Sequence, residues 1–209
     1  MDRAKKKSLI VSAGMVFLVG VAMGCGDDDN GDNANNNGAQ EPNGDDPVVL
    51  IRPDSATASS EWSSGYLIEY VIDGSGLPDD FGPDDAHADY VSGNHWTTTD
   101  GDVEGAWARF EFDQAVTLDT FWMWNHRSTS PPAYSTNYAV TRFDLEFFDG
   151  DDQSLQEVTD LQANPGVTTA QEISFGEVQD VRAVVFTVRE NAGEPDVTGL
   201  AEVAFSGAN

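Results

Sequence analysis

Near the middle of the chain, Trp124-Asn125-His126-Arg127 puts an amide, an imidazole and a guanidinium on consecutive residues. A polar segment carrying Tyr134, Asn137 and Tyr138 follows. Planar polar side chains of this kind take neighbouring hydroxyls in pairs, and an aromatic face covers an apolar C–H patch. In that reading Asn125 and Arg127 supply the amide and the fork, His126 another polar contact, and Tyr134 or Tyr138 the platform. The same residues fit a structural account equally well: Asn125 caps the loop, Arg127 pairs with a surface acid, and both tyrosines pack. Trp62, in an early loop, is either an exposed contact or, as is commoner for tryptophan, a half-buried core residue.

Catalytic chemistry finds less support. The chain has no Gly-x-Ser-x-Gly elbow, no phosphate loop and no His-Glu-x-x-His. Its carboxylates can be paired on paper as a glycosidase acid and base, but a generally acidic surface explains them more simply. His87, His95 and His126 would make a zinc triad only if folding gathered them, and their spacing gives no sign of it. A protein that is not an enzyme is expected.

Composition narrows the partners. Of 209 residues, 37 are Asp or Glu and 10 are Lys or Arg, a net charge of -27. Nucleic acid is excluded as a partner, because a phosphate backbone would be repelled at every approach. One cysteine allows neither an internal disulfide nor a Cys-based zinc site. Beyond Lys7 the chain has no lysine, and its basic residues are Arg52, Arg109, Arg127, Arg142, Arg182 and Arg189. Self-repulsion at this charge predicts a melting temperature that rises with added NaCl or CaCl₂.

The amino terminus reads as a leader. Arg3, Lys5, Lys6 and Lys7 precede an apolar run from Leu9 to Met23, too short for a comfortable membrane span and flanked as in a secretory signal. The run ends Ala22-Met23-Gly24-Cys25, which resembles the lipobox of bacterial lipoproteins, with Ala22 where leucine is usual. The resemblance implies diacylglycerol on the Cys25 thiol, and acyl chains at about 0.8 kcal/mol per buried CH₂ would hold the protein on a membrane. Residues 1–24 are thus read as a lipoprotein signal peptide. Residues 25–47, nearly all Asp, Asn and Gly, cannot bury surface and read as a disordered acidic tether. The protein is expected to be secreted across the inner membrane and lipid-anchored at the outer membrane or cell surface.

Residues 48–209 must position the polar groups, and they alternate with a period of two. Phe143, Leu145 and Phe147 oppose Arg142, Asp144 and Glu146. Asp149-Gly150-Asp151-Asp152 then turns the chain toward a returning strand at Leu155–Val158. Ala108, Phe110 and Phe112 make another inward face, and Phe121–Trp124 is apolar on both sides, as in a central strand. Ile173 and Phe175, then Val184, Phe186 and Val188, then Ala201, Val203 and Phe205 supply the rest. Only Tyr66–Ile72 fits a helical turn or two. The pattern predicts an all-β jelly roll, a two-sheet sandwich of about eight antiparallel strands.

Several segments in order then carry a family likeness. They are Ala56-Thr57-Ala58-Ser59-Ser60, Val71-Ile72-Asp73-Gly74-Ser75-Gly76-Leu77, Trp96, Trp107–Asp113, Leu118–Asn125 and Gly199-Leu200-Ala201-Glu202-Val203. Together they resemble the discoidin, or coagulation factor 5/8 type C, domains of galactose-binding-like fold, which include many carbohydrate-binding modules. A long acidic insert between Leu77 and Trp96 departs from the pattern. The resemblance implies non-catalytic binding through loops at one end of the sandwich, with a glycan as ligand. It also implies a structural Ca²⁺ held between Asp73 and Glu202; Asp89, Asn94 and other oxygens of the insert are candidate extra ligands. Without the ion, Asp73 is a turn residue and Glu202, between Ala201 and Val203, a solvated strand residue. The expectation is a lipid-anchored envelope module that binds a carbohydrate. A lipoprotein of the same fold that binds an envelope or extracellular protein is the alternative.

Overall fold

The computed structural model describes residues 48–127 and 137–207, all within the compact unit Gly44–Asn209. Cys25, the leader, the tether and Tyr134 lie outside the described residues. No helix among the described residues is long and apolar enough to cross a membrane.

Among the described residues seven strands form the body: β1 (Ser55–Ala58), β2 (Trp96–Thr97), β3 (Trp107–Asn125), β4 (Val140–Phe148), β5 (Ser154–Gln162), β6 (Gln171–Asn191) and β7 (Gly199–Ser206). A single 3-10 turn at Ile68–Val71 is the helical segment expected near Tyr66–Ile72. The strands pair antiparallel in the order β2-β7-β3-β6-β4-β5. β1 occupies the edge of the first half of β3 that β7 occupies along the second half.

Two pairs of expected strands are continuous, and β1 and β2, which alternation does not mark, bring the count among the described residues to seven. Ala108–Phe112 and Phe121–Trp124 run together as β3, and Ile173–Phe175 and Val184–Val188 as β6. Register shifts between Glu111 and Thr120 break the β3–β6 ladder, and opposite them Gly176 and Asp180 of β6 are left-handed, at φ 83° and 61°. Bulges of this kind bend strands. One continuous sheet therefore folds over on itself, where alternation alone predicts two separate ones.

Aromatic side chains of β3, β4 and β7 pack together on the inward face. Phe121 of β3 lies 5.8 Å from Phe143 of β4 and 5.2 Å from Phe205 of β7, while Phe110 reaches Phe205 at 6.3 Å. These rings are fully buried, and each contributes on the order of 1.5–3 kcal/mol. The outer face of the second half of β3 is covered as well. Trp122 and Trp124 pack with Ala201 and Ala204 under Leu77 and Phe81 of the acidic insert. The Trp124 indole donates to the Asp85 carbonyl at 2.9 Å. The insert thus roofs a sheet face that would otherwise be solvated.

Candidate functional site

The Asp73–Gly74 bend and the closing strand come together under that roof. Gly74 is left-handed, at φ 77°, and its N–H donates to both carboxylate oxygens of Glu202 at 3.2 Å. Asp73 folds its own bend, its Oδ1 accepting from Ser75 N–H at 2.7 Å. Glu202 does point away from Val203 and Phe205, as alternation requires, but the insert covers that side and the residue is fully buried. The solvated strand position expected without an ion is therefore corrected. Burial, then the nearby Asp73 carboxylate, pushes the Glu202 carboxyl up to about 9, against the pull of the Gly74 N–H and Arg52. A buried carboxylate with so little positive compensation fits a hard cation, which takes about six to eight oxygens from carboxylates and backbone carbonyls. Asp89 is placed elsewhere: its Oδ1 meets Arg127 at 3.3 Å, and its carbonyl accepts from Asn94 Nδ2 at 3.0 Å. Asn94 is likewise engaged, accepting from Val91 N–H at 2.9 Å. Among the described residues no three His, Cys, Asp or Glu side chains are grouped to hold a metal. Asp73 and Glu202 would thus need backbone carbonyls to complete a shell.

The residues at the end of β3 divide. Asn125 is buried, and its amide is consumed by the backbone. Nδ2 donates to the Val140 carbonyl at 2.7 Å, and Oδ1 accepts from Val140 N–H at 3.0 Å and from His126 N–H at 2.9 Å. It ties β3 to the start of β4. The ligand role read for Asn125 is corrected to the structural one, because no polar group of the amide is left to face a solute. His126 is fully buried and so forms no part of an open rim. Arg127 is partly exposed and pairs with Asp89. Tyr138 reaches a cavity described below.

The three histidines, whose spacing suggests no association, are in fact gathered. His87 and His95 have ring centroids 4.8 Å apart, as do His95 and His126. Tyr90 covers the last two, at 5.3 and 4.7 Å. They pack as rings. His87 Nδ1 lies 2.8 Å from the Ala88 carbonyl oxygen and Nε2 2.9 Å from that of Ser75, while His95 Nδ1 lies 2.6 Å from Asn94 Oδ1. Burial, then the neighbouring His126 and His87, holds the His95 imidazole far below its ordinary range. Burial also lowers His87, against the two carbonyls. Gly76 makes room for this packing: a Cβ there would sit 2.4 Å from His87 Cε1.

Beside the histidines opens a cavity of about 280 Å³. Trp62, Tyr66, Tyr90 and Tyr138 give it aromatic walls, and Thr97, Asp100, Glu194 and Asp196 its polar groups. Tyr66 stacks on Tyr90 at 5.2 Å and 9°. Burial, with the Tyr66 hydroxyl beside it, holds the Tyr90 phenol above its ordinary range. Trp62 is 49% exposed, so its ring lies at the surface and not in the core. Its N–H donates to the Thr97 carbonyl at 2.8 Å, anchoring the loop while leaving the ring outside. Gly199 allows β2 to lie close on β7, since a Cβ there would meet the Trp96 carbonyl oxygen at 2.2 Å. The rim is cross-braced by backbone bonds, Gly101 N–H to the Asp196 carbonyl at 2.7 Å and Gly199 N–H to the Tyr138 carbonyl at 3.1 Å. A braced, concave, aromatic-lined site with a few polar groups suits a small ligand. Apart from Tyr138 and Trp62, sequence reasoning missed these residues. The available signal was Tyr66 and Tyr90, aromatics outside every alternating segment.

No protein-family model matches the chain, and no sequence among the curated proteins matches it. Solved structures do. The lectin domain of lectinolysin complexed with Lewis B antigen is 19% identical at a TM-score of 0.55, covering 76% of this chain and 95% of its own. The CBM32 of AlyQ in complex with 4,5-unsaturated mannuronic acid is 17% identical at 0.53, covering 77% and 99%. A fucose binding module of Streptococcus pneumoniae is 14% identical at 0.52, covering 76% and 95%. The described chain has the all-β, galactose-binding-like fold that these lectin and carbohydrate-binding domains share.

Proposed function

We propose that the chain is a non-catalytic carbohydrate-binding module whose glycan site is the cavity walled by Trp62, Tyr66, Tyr90 and Tyr138. The observation that carries this reading is the exposed Trp62 ring at the mouth of a braced aromatic cavity. Sugar rings present flat C–H faces that stack on such side chains, and their hydroxyls donate hydrogen bonds to carboxylates and exchange them with hydroxyl groups at the edge. Each solved structure above is a lectin or sugar-binding module by its own description, which agrees with the reading. Calorimetric titration of the protein with a panel of oligosaccharides tests it. At least one glycan binds, and Trp62→Ala abolishes or severely weakens that binding. Silence across the panel, with a partner protein retained, would favour the protein-binding alternative.

A Ca²⁺ ion between Asp73 and Glu202 belongs to the same proposal. The buried Glu202 carboxylate and the adjoining Asp73 bend support it. The ion would hold the insert against the closing strand. EDTA then lowers the melting temperature, added CaCl₂ restores it, and Asp73→Ala removes the response. Anchoring through Cys25 and an outer-membrane or cell-surface location complete the proposal, on the strength of the lipobox-like sequence. Metabolic labelling with a radioactive fatty acid, lost in Cys25→Ser, tests them.

A further inference from the structure

We infer that Trp107 is a second aromatic subsite beside the cavity, so that the site takes an oligosaccharide chain rather than a single sugar. The inference rests on the glycan reading and adds the length of glycan that is held.

The five tryptophans divide into two groups. Trp96, Trp122 and Trp124 are buried, and each indole N–H is satisfied: by the Ser60 carbonyl, the Ser206 hydroxyl and the Asp85 carbonyl, all at 2.9 Å. Trp62 and Trp107, 49% and 38% exposed, are the most exposed aromatics among the described residues. Neither of their indole N–H groups has a hydrogen-bond partner there. A large apolar face left in water forgoes the stabilisation that burial would bring. Trp62 already has a use at the cavity mouth, and Trp107 shares its exposure and its open N–H.

Alternation sets the direction of Trp107. Ala108, Phe110 and Phe112 of β3 face the core, so Trp107 and Arg109 face outward. Arg109 leaves the indole uncovered, since it pairs with Glu111 and Asp152 and lies over the Phe148 ring.

The loop that carries Trp62 is joined to Trp107 directly. Ser59 N–H donates to the Trp107 carbonyl at 2.9 Å, and Trp107 N–H donates to Ser59 Oγ at 3.1 Å. The hydroxyls of Ser59 and Ser60 both donate to Asp102 Oδ2, and Ser60 Oγ accepts from Thr99 N–H at 3.1 Å. The two tryptophans thus belong to one braced frame. Antiparallel partners stand about 5.5 Å apart, and three extended residues advance at most about 11 Å, so the Trp62 and Trp107 Cα atoms are no more than about 16 Å apart.

An oligosaccharide repeats its apolar C–H faces along the chain, and two rigid indoles within that span cover one each. The open N–H at the edge of each ring donates to a sugar oxygen. Contacts on one chain reinforce each other, because holding one residue keeps the next at high local concentration.

Calorimetry with two- and six-residue members of gluco-, manno- and galacto-oligosaccharide series tests the inference. A hexasaccharide is expected to bind tenfold or more tightly than its disaccharide. Trp107→Ala, its fold checked by melting temperature, removes that gain and leaves disaccharide affinity unchanged. The parent protein gives an independent reading through oxidation of accessible indoles by N-bromosuccinimide, followed by peptide mass spectrometry. Bound hexasaccharide protects both Trp62 and Trp107, whereas the disaccharide protects Trp62 alone. Trp107 oxidised equally with and without bound hexasaccharide would overturn the inference and leave the glycan reading standing. So would a hexasaccharide that binds no more tightly than its disaccharide, or an equal loss for both lengths in Trp107→Ala. If no member of these series and nothing on a broad glycan panel binds or protects Trp62, the glycan reading falls, and this inference with it.

Discussion

Two neighbouring regions hold similar residue types and put them to opposite uses. At the end of β3, Asn125 and His126 are polar, consecutive and buried, and the Asn125 amide satisfies the backbone of β4. At the cavity, Trp62, Tyr66, Tyr90 and Tyr138 arrive from separate loops and line an open space with the carboxylates of Asp100, Glu194 and Asp196. Residue type does not separate the two. What separates them is whether the fold leaves a group with bonds still to make. A polar side chain whose capacity is used up internally stabilises the fold, whereas one held in place and unsatisfied is prepared for a ligand.

The largest expected effect that tests this contrast is Asn125→Ala. It strands Val140 N–H, the Val140 carbonyl and His126 N–H in the interior. Denaturant unfolding should show a loss of about 3 kcal/mol or more. A change below about 1 kcal/mol would mean that the amide is not a structural pin.

Trp62→Ala should do the reverse. Its stability should stay within about 0.5 kcal/mol of the parent, while glycan affinity falls about tenfold or more. A large stability loss with affinity intact would erase the distinction between the regions.

Titration sharpens it further. His87 and His95 have folded pKa values below the ordinary imidazole range, so the unfolded chain binds protons more readily. Their contribution is whole above about pH 6.5 and is lost as the pH falls below it. Glu202 works in the other direction: its folded carboxyl is raised from 4.5 to about 9. In EDTA its contribution is complete below pH 4.5 and fades as the pH climbs through about 9. Calcium competes with that proton, so the stabilisation it brings should grow with pH. Melting curves from pH 5 to 9, with and without CaCl₂, check both arms. A calcium effect that does not change with pH would detach the ion from Glu202.

The smallest effect is Arg127→Ala. The Arg127–Asp89 pair is partly exposed and worth about 0–1 kcal/mol, so stability should scarcely move. Glycan affinity also holds, since Arg127 does not line the aromatic cavity. A tenfold loss of affinity would return the ligand site to the end of β3.

Much of the body is legible in the sequence. The alternation of Phe143, Leu145 and Phe147 sets β4, the Asp149–Asp152 turn returns the chain as β5, and Phe121–Trp124 lies centrally between β6 and β7. The bulged continuity of β3 and β6 was not legible, because Gly176 and Asp180 look like turn residues rather than bends within one strand. Nor was the burial of Glu202. The period-two pattern gave its direction correctly, but only the acidic insert, with Phe81 and Trp124 edge-on at 5.5 Å, decides that this side is dry.

The amino-acid sequence alone therefore determined the alternation of the longer strands, the acidity of the surface and the scarcity of cations, since these depend on periodicity and composition within short windows. Only tertiary structure decided which polar groups are spent and which are left open. Trp62, Tyr90, Tyr138 and Asp196 lie in distant parts of the chain and meet through loops whose placement follows from strand pairing far away. Hydrogen-bond satisfaction is a property of that assembled neighbourhood, and no spacing in the sequence encodes it.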